Sequence, residues 1–373
     1  MGSGFVGRSA SGTALVAFKL IEGLLVKPGI EITILVKNQA EQKWVREHSI
    51  LKQCQTILLP MVSGNLIKSF RQFMRFILTN KDHDFDLLHF TVARVYPFFW
   101  LFPAKKFSCT FHAAGDITAP ADKFILSRSV YNIIAKLFWR KLHGIYADSD
   151  FGVDEISRNY RIPANRITKI YIGADHLWNS KKEPIKEFVD TTTNILLLGR
   201  FKEYKNVHSI LRAILTDNQS SLKNYRIYLI GNSQSNRNNL VNPLLERFSK
   251  KTLVHFEFLP YENLSFLYSY SDLVIFPSIN EGFGLPAFEA FGAGASLLIH
   301  KSTPAADVLG GFPGVKTANL LSREEILPNI LDALNYKSKE IIYRRQFILS
   351  KKMTWDAMVD EYYDSFIKIV KLN

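Results

Sequence analysis

Short runs of consecutive apolar residues alternate along most of this chain with longer stretches in which apolar positions recur every three or four residues. Residues 30–36, 87–90, 107–111, 145–148 and 167–172 read as strands in the first half. In the second half, residues 194–198, 225–231, 254–259 and 273–276 do the same. A run that is apolar on both sides of the chain belongs in a sheet covered on both faces. A strand–helix rhythm of this length predicts α/β architecture with parallel sheets. In such sheets ligands bind at the carboxyl ends of the strands.

One stretch concentrates chemistry at such an end. The strand 273–276 runs into Pro277-Ser278-Ile279-Asn280-Glu281-Gly282-Phe283-Gly284-Leu285-Pro286, and Ala287, Phe288, Ala290 and Phe291 then continue as helix. Pro286 suits a first helical turn. The backbone N–H groups of Phe283, Gly284 and Leu285 precede or open that helix, where an anion is favoured. Glu281 enters the turn and Glu289 lies two helical turns further on, both able to accept hydrogen bonds from hydroxyls. This suits a sugar and a ribose better than a metal. A second loop, Gly199-Arg200 followed after four residues by Lys205-Asn206, places two cations after a buried strand and before a helix starting near Val207. A diphosphate needs that arrangement: Arg takes two oxygens in a fork and Lys supplies a compact charge.

The Glu281-to-Glu289 spacing with Gly-Phe-Gly-Leu-Pro inside it resembles the signature of retaining nucleotide-sugar glycosyltransferases of the GT-B fold, family four. The Arg200–Lys205 loop resembles that family's second motif. The resemblance runs from about Gly12 onward and is densest from Leu197 to Pro304. It implies two Rossmann-like domains with parallel sheets facing across a cleft. Residues 1–178 would form the acceptor side, 179–193 a linker and 194–352 the nucleotide-sugar domain, with 353–373 a helix crossing back to the first. It implies Arg200 and Lys205 on the departing diphosphate, and Glu281 on the sugar hydroxyls, helped by the Phe283 and Gly284 N–H groups. It also implies Glu289 on the ribose, and His112 on the donor sugar. His112 ends the strand 107–111, where a ligand-facing residue belongs, although a lone histidine is more often structural. The implied reaction transfers a hexose with retention to a growing glycan, for instance one on a polyprenyl diphosphate in surface-polysaccharide synthesis.

Other patterns are weaker. Gly2-Ser3-Gly4-Phe5-Val6-Gly7 matches a dinucleotide fingerprint but lacks the strand that must precede it, and the family's first strand is expected to be missing. Asp148-Ser149-Asp150 and Asp84-Phe85-Asp86 match a metal-binding triplet. The first is better explained as a helix N-cap and the second lies in an acidic loop. No metal and no cofactor are expected, the nucleotide sugar being a substrate.

Length and composition add bounds. A chain of 373 residues with 47% hydrophobic and 22% charged residues suits two globular domains. No apolar run reaches the length of a membrane span. Two cysteines suggest a reducing compartment, so a cytoplasmic protein is expected, peripheral at the membrane's inner face if its charge serves there. Residues 1–186 hold 26 Lys and Arg against 15 Asp and Glu, and the remainder 21 against 19. Two basic helices, 66–78 with Lys68, Arg71 and Arg75 and 123–141 with Arg128, Lys136, Arg140 and Lys141, flank the aromatic segment 95–103 and Lys105-Lys106. That segment suits either a membrane–water interface or an aromatic core. No nucleic-acid-binding motif is present, so none is expected as partner. A sugar-nucleotide epimerase on the same scaffold and an inactive transferase-like scaffold remain the rival readings.

Overall fold

The computed structural model describes residues 12–36, 38–59, 66–80, 83–91, 99–112, 133, 136–217, 221–232, 240–335 and 340–372, without the side chains of 66–70, 72 and 73. The glycine pattern at 2–7, most of the basic helix 123–141 and residues 95–98 of the aromatic segment lie outside the described residues. The chain divides into two compact units, Met1–Ile172 with Trp355–Asn373, and Gly173–Thr354.

In the first unit, β1 (Thr33–Val36) pairs in parallel with β2 (Gln55–Leu58), while β3 (Phe85–Phe90), β4 (Ala104–Phe111), β5 (Gly144–Ala147) and β6 (Thr168–Lys169) form a four-stranded parallel sheet in that order. Strand β1 is shorter than its apolar pattern because its partner offers four residues, Gln55 to Leu58. The polar start of β2 hides that strand from a pattern reading. Helix α1 (Gly12–Leu24) buries Ala17 and Ile21 in a cluster with Ile34, Val36 and Val45. Helix α2 (Gln39–Glu47) is opened by Asn38, whose side chain accepts from Glu41 N–H.

The aromatic segment resolves in part. Phe99 and Phe102 are buried with Phe107, and Trp100 packs on Phe138 at 4.2 Å between ring centroids. Phe99, Trp100 and Phe102 therefore follow the second of the two readings, aromatic core. Lys105 lies within 2.9 Å of Asp84 and 3.1 Å of Asp86. The second acidic triplet therefore answers a lysine.

The second unit has one six-stranded parallel sheet. Its strands are β7 (Thr193–Leu198), β8 (Tyr225–Ile230), β9 (Leu253–Phe256), β10 (Leu273–Phe276), β11 (Leu297–His300) and β12 (Val315–Ala318). The spatial order is β12-β11-β10-β7-β8-β9, the doubly wound arrangement. All four residues of β10 and of β11 are buried, as are five of six in β7, which is why these strands read as unbroken apolar runs. Residues 179–193, expected as a linker, belong to this unit. Ile185 is buried and Phe188 packs on Tyr228 and Phe266. Their polar composition conceals two anchoring side chains.

The α/β class with parallel sheets is as expected. The last helix, α3 in the labels used below (Trp355–Lys371), belongs with the first unit. There Tyr362 Oη lies 2.7 Å from Thr110 Oγ1 and Tyr146 Oη 2.8 Å from Ser365 Oγ.

Candidate functional site

In a doubly wound sheet the chain leaves the central strands in opposite directions, and the loops at their carboxyl ends part to leave a crevice. Here those strands are β7 and β10, and the loops are residues 199–206 and 277–284. The glycine at 231, at the end of the neighbouring strand, allows close backbone approach to the first loop: a Cβ there would meet Gly199 O at 2.0 Å. A single 3-10 turn, Glu203–Lys205, ends at Asn206, held at φ 54° while its side-chain amide donates to Leu320 O at 2.7 Å. The helix Val207–Leu215 follows.

The two loops are laced through Tyr204. Its carbonyl accepts from Ile279 N–H at 2.9 Å and from Ser278 Oγ at 3.3 Å. That lacing brings Lys205 and Glu281 together, and the ammonium donates to Glu281 Oε1. Their side chains are 18% and 15% exposed, so the pair is only weakly screened by solvent. Arg200, on the same loop and half-buried, makes no side-chain hydrogen bond or ion pair among the described residues. Its guanidinium remains available to an anion.

Gly284 adopts φ 91° ahead of the helix Leu285–Gly292, with Pro286 in the first turn. A side chain there would need a left-handed backbone and would press on Ala305 at 3.1 Å. Phe283 is buried and stacks on Phe288 at 4.3 Å, so its contribution to any ligand is through the backbone. Glu289 is 7% exposed. Its Oε2 accepts from Tyr268 Oη at 2.8 Å and its Oε1 lies 3.3 Å from His176 Nε2. Burial and the Glu289 charge both push the Tyr268 hydroxyl well above its ordinary pKa, which keeps it a neutral donor.

His112 belongs to the first unit, at the end of β4. Its Nδ1 lies 2.8 Å from Asp148 Oδ2 and its Nε2 2.8 Å from Thr91 O. Both ring nitrogens are thus engaged within that unit. With a backbone carbonyl on one side, Nε2 is placed as a donor, and Nδ1 faces the Asp148 carboxylate. Asp148 thereby has a role that the triplet reading missed. The cap of the helix Asp150–Tyr160 is Ser149, which accepts from Gly152 N–H at 2.9 Å.

Of the expected residues, Lys205 and Glu281 are in contact. Arg200, Phe283 and Gly284 lie on the same two loops, Leu285 opens the helix that follows the second, and Glu289 lies further along it. Tyr204, His176, Tyr268 and Asp148 were not foreseen. His176 directly follows Gly173-Ala174-Asp175 and could have been marked by that position. Tyr268 stands in Tyr-Glu-Asn-Leu-Ser-Phe-Leu-Tyr-Ser-Tyr, where nothing separates it from core aromatics. Among the described residues no three His, Cys, Asp or Glu side chains gather as a metal-binding group, and no helix is long and apolar enough to cross a membrane.

Comparison with known proteins fits this geometry. Residues 179–324 match the family described as Glycosyl transferases group 1, a segment that contains both loops. The O-antigen chain mannosyltransferase B of Escherichia coli is 27% identical over 226 residues, 58% of this chain and 58% of that protein. The matched stretch thus spans little more than half of that relative. The crystal structure of a glycosyltransferase from Rickettsia africae superposes with a TM-score of 0.72 at 17% identity, covering 99% of this chain and 98% of the other. The Anabaena protein Alr3699/HepE, in complex with UDP, gives 0.70 at 12% identity over 97% and 98%. At those identities the structures establish a shared fold, that of GT-B glycosyltransferases. The matched segment, which carries both loops, is thus similar to the group 1 glycosyl transferases, and the fold around it is theirs.

Proposed function

We propose that the protein transfers a hexose from a nucleoside diphosphate sugar to a growing surface glycan, with mannose the first sugar to test because the matched E. coli relative is named a mannosyltransferase. The observation that carries the reading is the meeting of Lys205 with Glu281 at the switch point of the second sheet, on whose first loop Arg200 makes no side-chain hydrogen bond or ion pair among the described residues. Arg200 and Lys205 neutralise the charge that builds on the leaving diphosphate, the main electrostatic demand in breaking the anomeric C–O bond. Those two cations do this work without a metal. Glu281 and the N–H groups at Phe283, Gly284 and Leu285 receive the sugar, Glu289 the ribose. His112 would contact the donor sugar only by exchanging its Nε2 bond to Thr91 O for a sugar hydroxyl.

The transfer retains configuration by a front-face route. The acceptor oxygen bonds to the anomeric carbon as the carbon–phosphate-oxygen bond breaks, and the leaving phosphate takes the acceptor's proton. Incubation with a panel of nucleotide sugars should release nucleoside diphosphate with at least one of them. No release with any, in the presence of candidate glycan acceptors, would refute the transferase reading. Proton NMR of the product then decides stereochemistry, an inverted linkage refuting the front-face route.

The excess of Lys and Arg in residues 1–186 supports an acceptor on a polyprenyl diphosphate at an anionic membrane surface inside the cell. Co-sedimentation with vesicles containing anionic lipid, weakening with salt, is expected. Equal recovery with neutral vesicles would remove the idea.

A further inference from the structure

We infer that a cavity at the amino-terminal edge of the second sheet holds a stretch of the growing glycan, as a sugar site separate from the donor loops. This rests on the transferase reading above and adds a holding site for the product chain. The cavity has a volume of about 420 Å³, within the range of about 300–1,000 Å³ that takes small ligands. Thr193, which starts β7, and Asp272, which directly precedes β10, lie on its wall. The loops bearing Arg200, Lys205 and Glu281 follow the opposite ends of those strands. The length of β7 therefore separates the cavity from the donor loops, about 20 Å at the rise of an extended strand.

The lining has two characters. Leu331 and Leu334, three residues apart on the helix Arg323–Asn335, are half-buried and supply an apolar side. Ser221, Lys223, Asp272 and Asn335 supply hydroxyl, ammonium, carboxylate and amide groups. Lys223 and Asn335 are exposed, so the cavity opens to solvent. One lysine against one aspartate leaves no net charge, which disfavours a phosphate. A lipid tail would leave the polar groups without partners. A pyranose has C–H groups on its faces and a rim of hydroxyls that donate and accept, so a neutral sugar meets both characters at once.

The polar groups are set in place by the fold. Asp272 Oδ2 accepts from Asn194 N–H at 2.9 Å, and Asp272 N–H donates to Asn194 O at 2.8 Å. Ser221 N–H donates to Asp217 Oδ2 at 2.6 Å and its Oγ to Asp217 Oδ1 at 3.1 Å. Groups fixed before a ligand arrives lose less entropy on binding it. Holding part of a chain while its end is extended raises the effective concentration of that end at the donor loops. The cavity thereby favours repeated additions to one chain.

The test pairs binding with product length on the full chain. The probe is a trisaccharide of whichever sugar the donor panel shows to be transferred, mannotriose for mannose, followed by saturation-transfer NMR. It should bind wild type with UDP or GDP present in excess. Lys223→Ala combined with Asn335→Ala, both at exposed positions, should weaken that binding several-fold, and so should Leu334→Ser, with thermal unfolding reporting any loss of fold separately. The double variant should add one sugar to a short acceptor at the wild-type rate yet make chains several-fold shorter. Unchanged trisaccharide binding or unchanged chain length in the folded double variant would overturn the inference and leave the transferase reading intact. So would an active wild type that binds no trisaccharide under excess nucleoside diphosphate. No release of nucleoside diphosphate from any donor would sink the transferase reading and this inference with it.

Discussion

The Lys205 ammonium and the Glu281 carboxylate, 76 residues apart in sequence, are bonded to each other. On the proposed mechanism the two residues serve different parts of the donor, the diphosphate and the sugar. Their bond must therefore open when the donor arrives. The phosphate competes with Glu281 for Lys205, and the carboxylate so released becomes free to accept sugar hydroxyls.

This gives a prediction with an unusual sign. Glu281→Gln should bind nucleoside diphosphate several-fold more tightly than wild type, because Lys205 no longer has a competing carboxylate, while turnover falls by about two orders of magnitude as expected for a residue contacting the reacting sugar. Lys205→Ala should weaken the same binding. In a Lys205→Ala background the Glu281→Gln gain should vanish. A gain that persists there would mean simple relief of anion repulsion, with no competition for Lys205.

A buried histidine ties stability to pH in the first unit. Burial, with a smaller contribution from the neighbouring His112, lowers the His89 pKa from 6.5 to about 3. Its Nδ1 lies 2.9 Å from Ser108 Oγ, and the ring is surrounded by Tyr146, Tyr362 and Phe366. Folded His89 is neutral, whereas unfolded His89 gains a proton below about pH 6.5. The unfolded state therefore binds more protons between pH 6.5 and about 3, and this contribution to stability, full above 6.5, is lost as pH falls through that window. The expected slope is about 1.4 kcal/mol per pH unit. Urea unfolding at pH 7, 6 and 5 should show it, and His89→Gln, though less stable at pH 7, should show a shallower dependence.

How much of this could be read from the sequence divides along physical lines. Strands such as Leu273–Phe276 were legible because they are buried on both faces, and the loops at residues 199–206 and 277–284 because they carry an unusual density of Gly, Pro and charge. Gln55–Leu58 was illegible because its side chains are exposed or only half-buried. The partners of the site were also hidden. Tyr204 acts through its carbonyl, which no residue identity reports, and Tyr268 and Asp148 sit among aromatics and a capping motif that account for them equally well. Contacts between distant segments are set by packing, and the sequence records only one side of each.

The last helix docks on α1 at a position with no room to spare. A Cβ on Gly23 would lie 2.4 Å from Val359 Cγ2, and Val359 is 4% exposed. Nearby, Lys27 bonds Asp360 and Tyr363 Oη donates to Pro28 O at 3.1 Å. Gly23→Ala gains helix propensity yet forces the two helices apart, so a net loss of roughly 1–3 kcal/mol is expected from overpacking. Val359→Ala makes space at that point. The double variant should lose less stability than the sum of the two single ones, by denaturant unfolding.

Arg344 is 1% exposed in the second unit: Nη1 donates to Ala295 O and Nη2 to Pro313 O, both at 2.6 Å, while the guanidinium lies over the Phe291 ring at 4.9 Å. Burial lowers its pKa to about 10, so it stays charged at neutral pH. The two carbonyls belong to separate turns, one just before β11 and one just before β12, and the planar fork bridges them. Arg344→Met keeps much of the volume but leaves two carbonyls without donors in a buried position, an expected cost of about 3 kcal/mol. Arg344→Lys keeps the charge but not the fork, so it should recover less than half of that loss. Thermal unfolding of the two variants checks the order. A lysine variant as stable as wild type would show that charge over the Phe291 ring, and not the bridging of two turns, is what holds Arg344 in place.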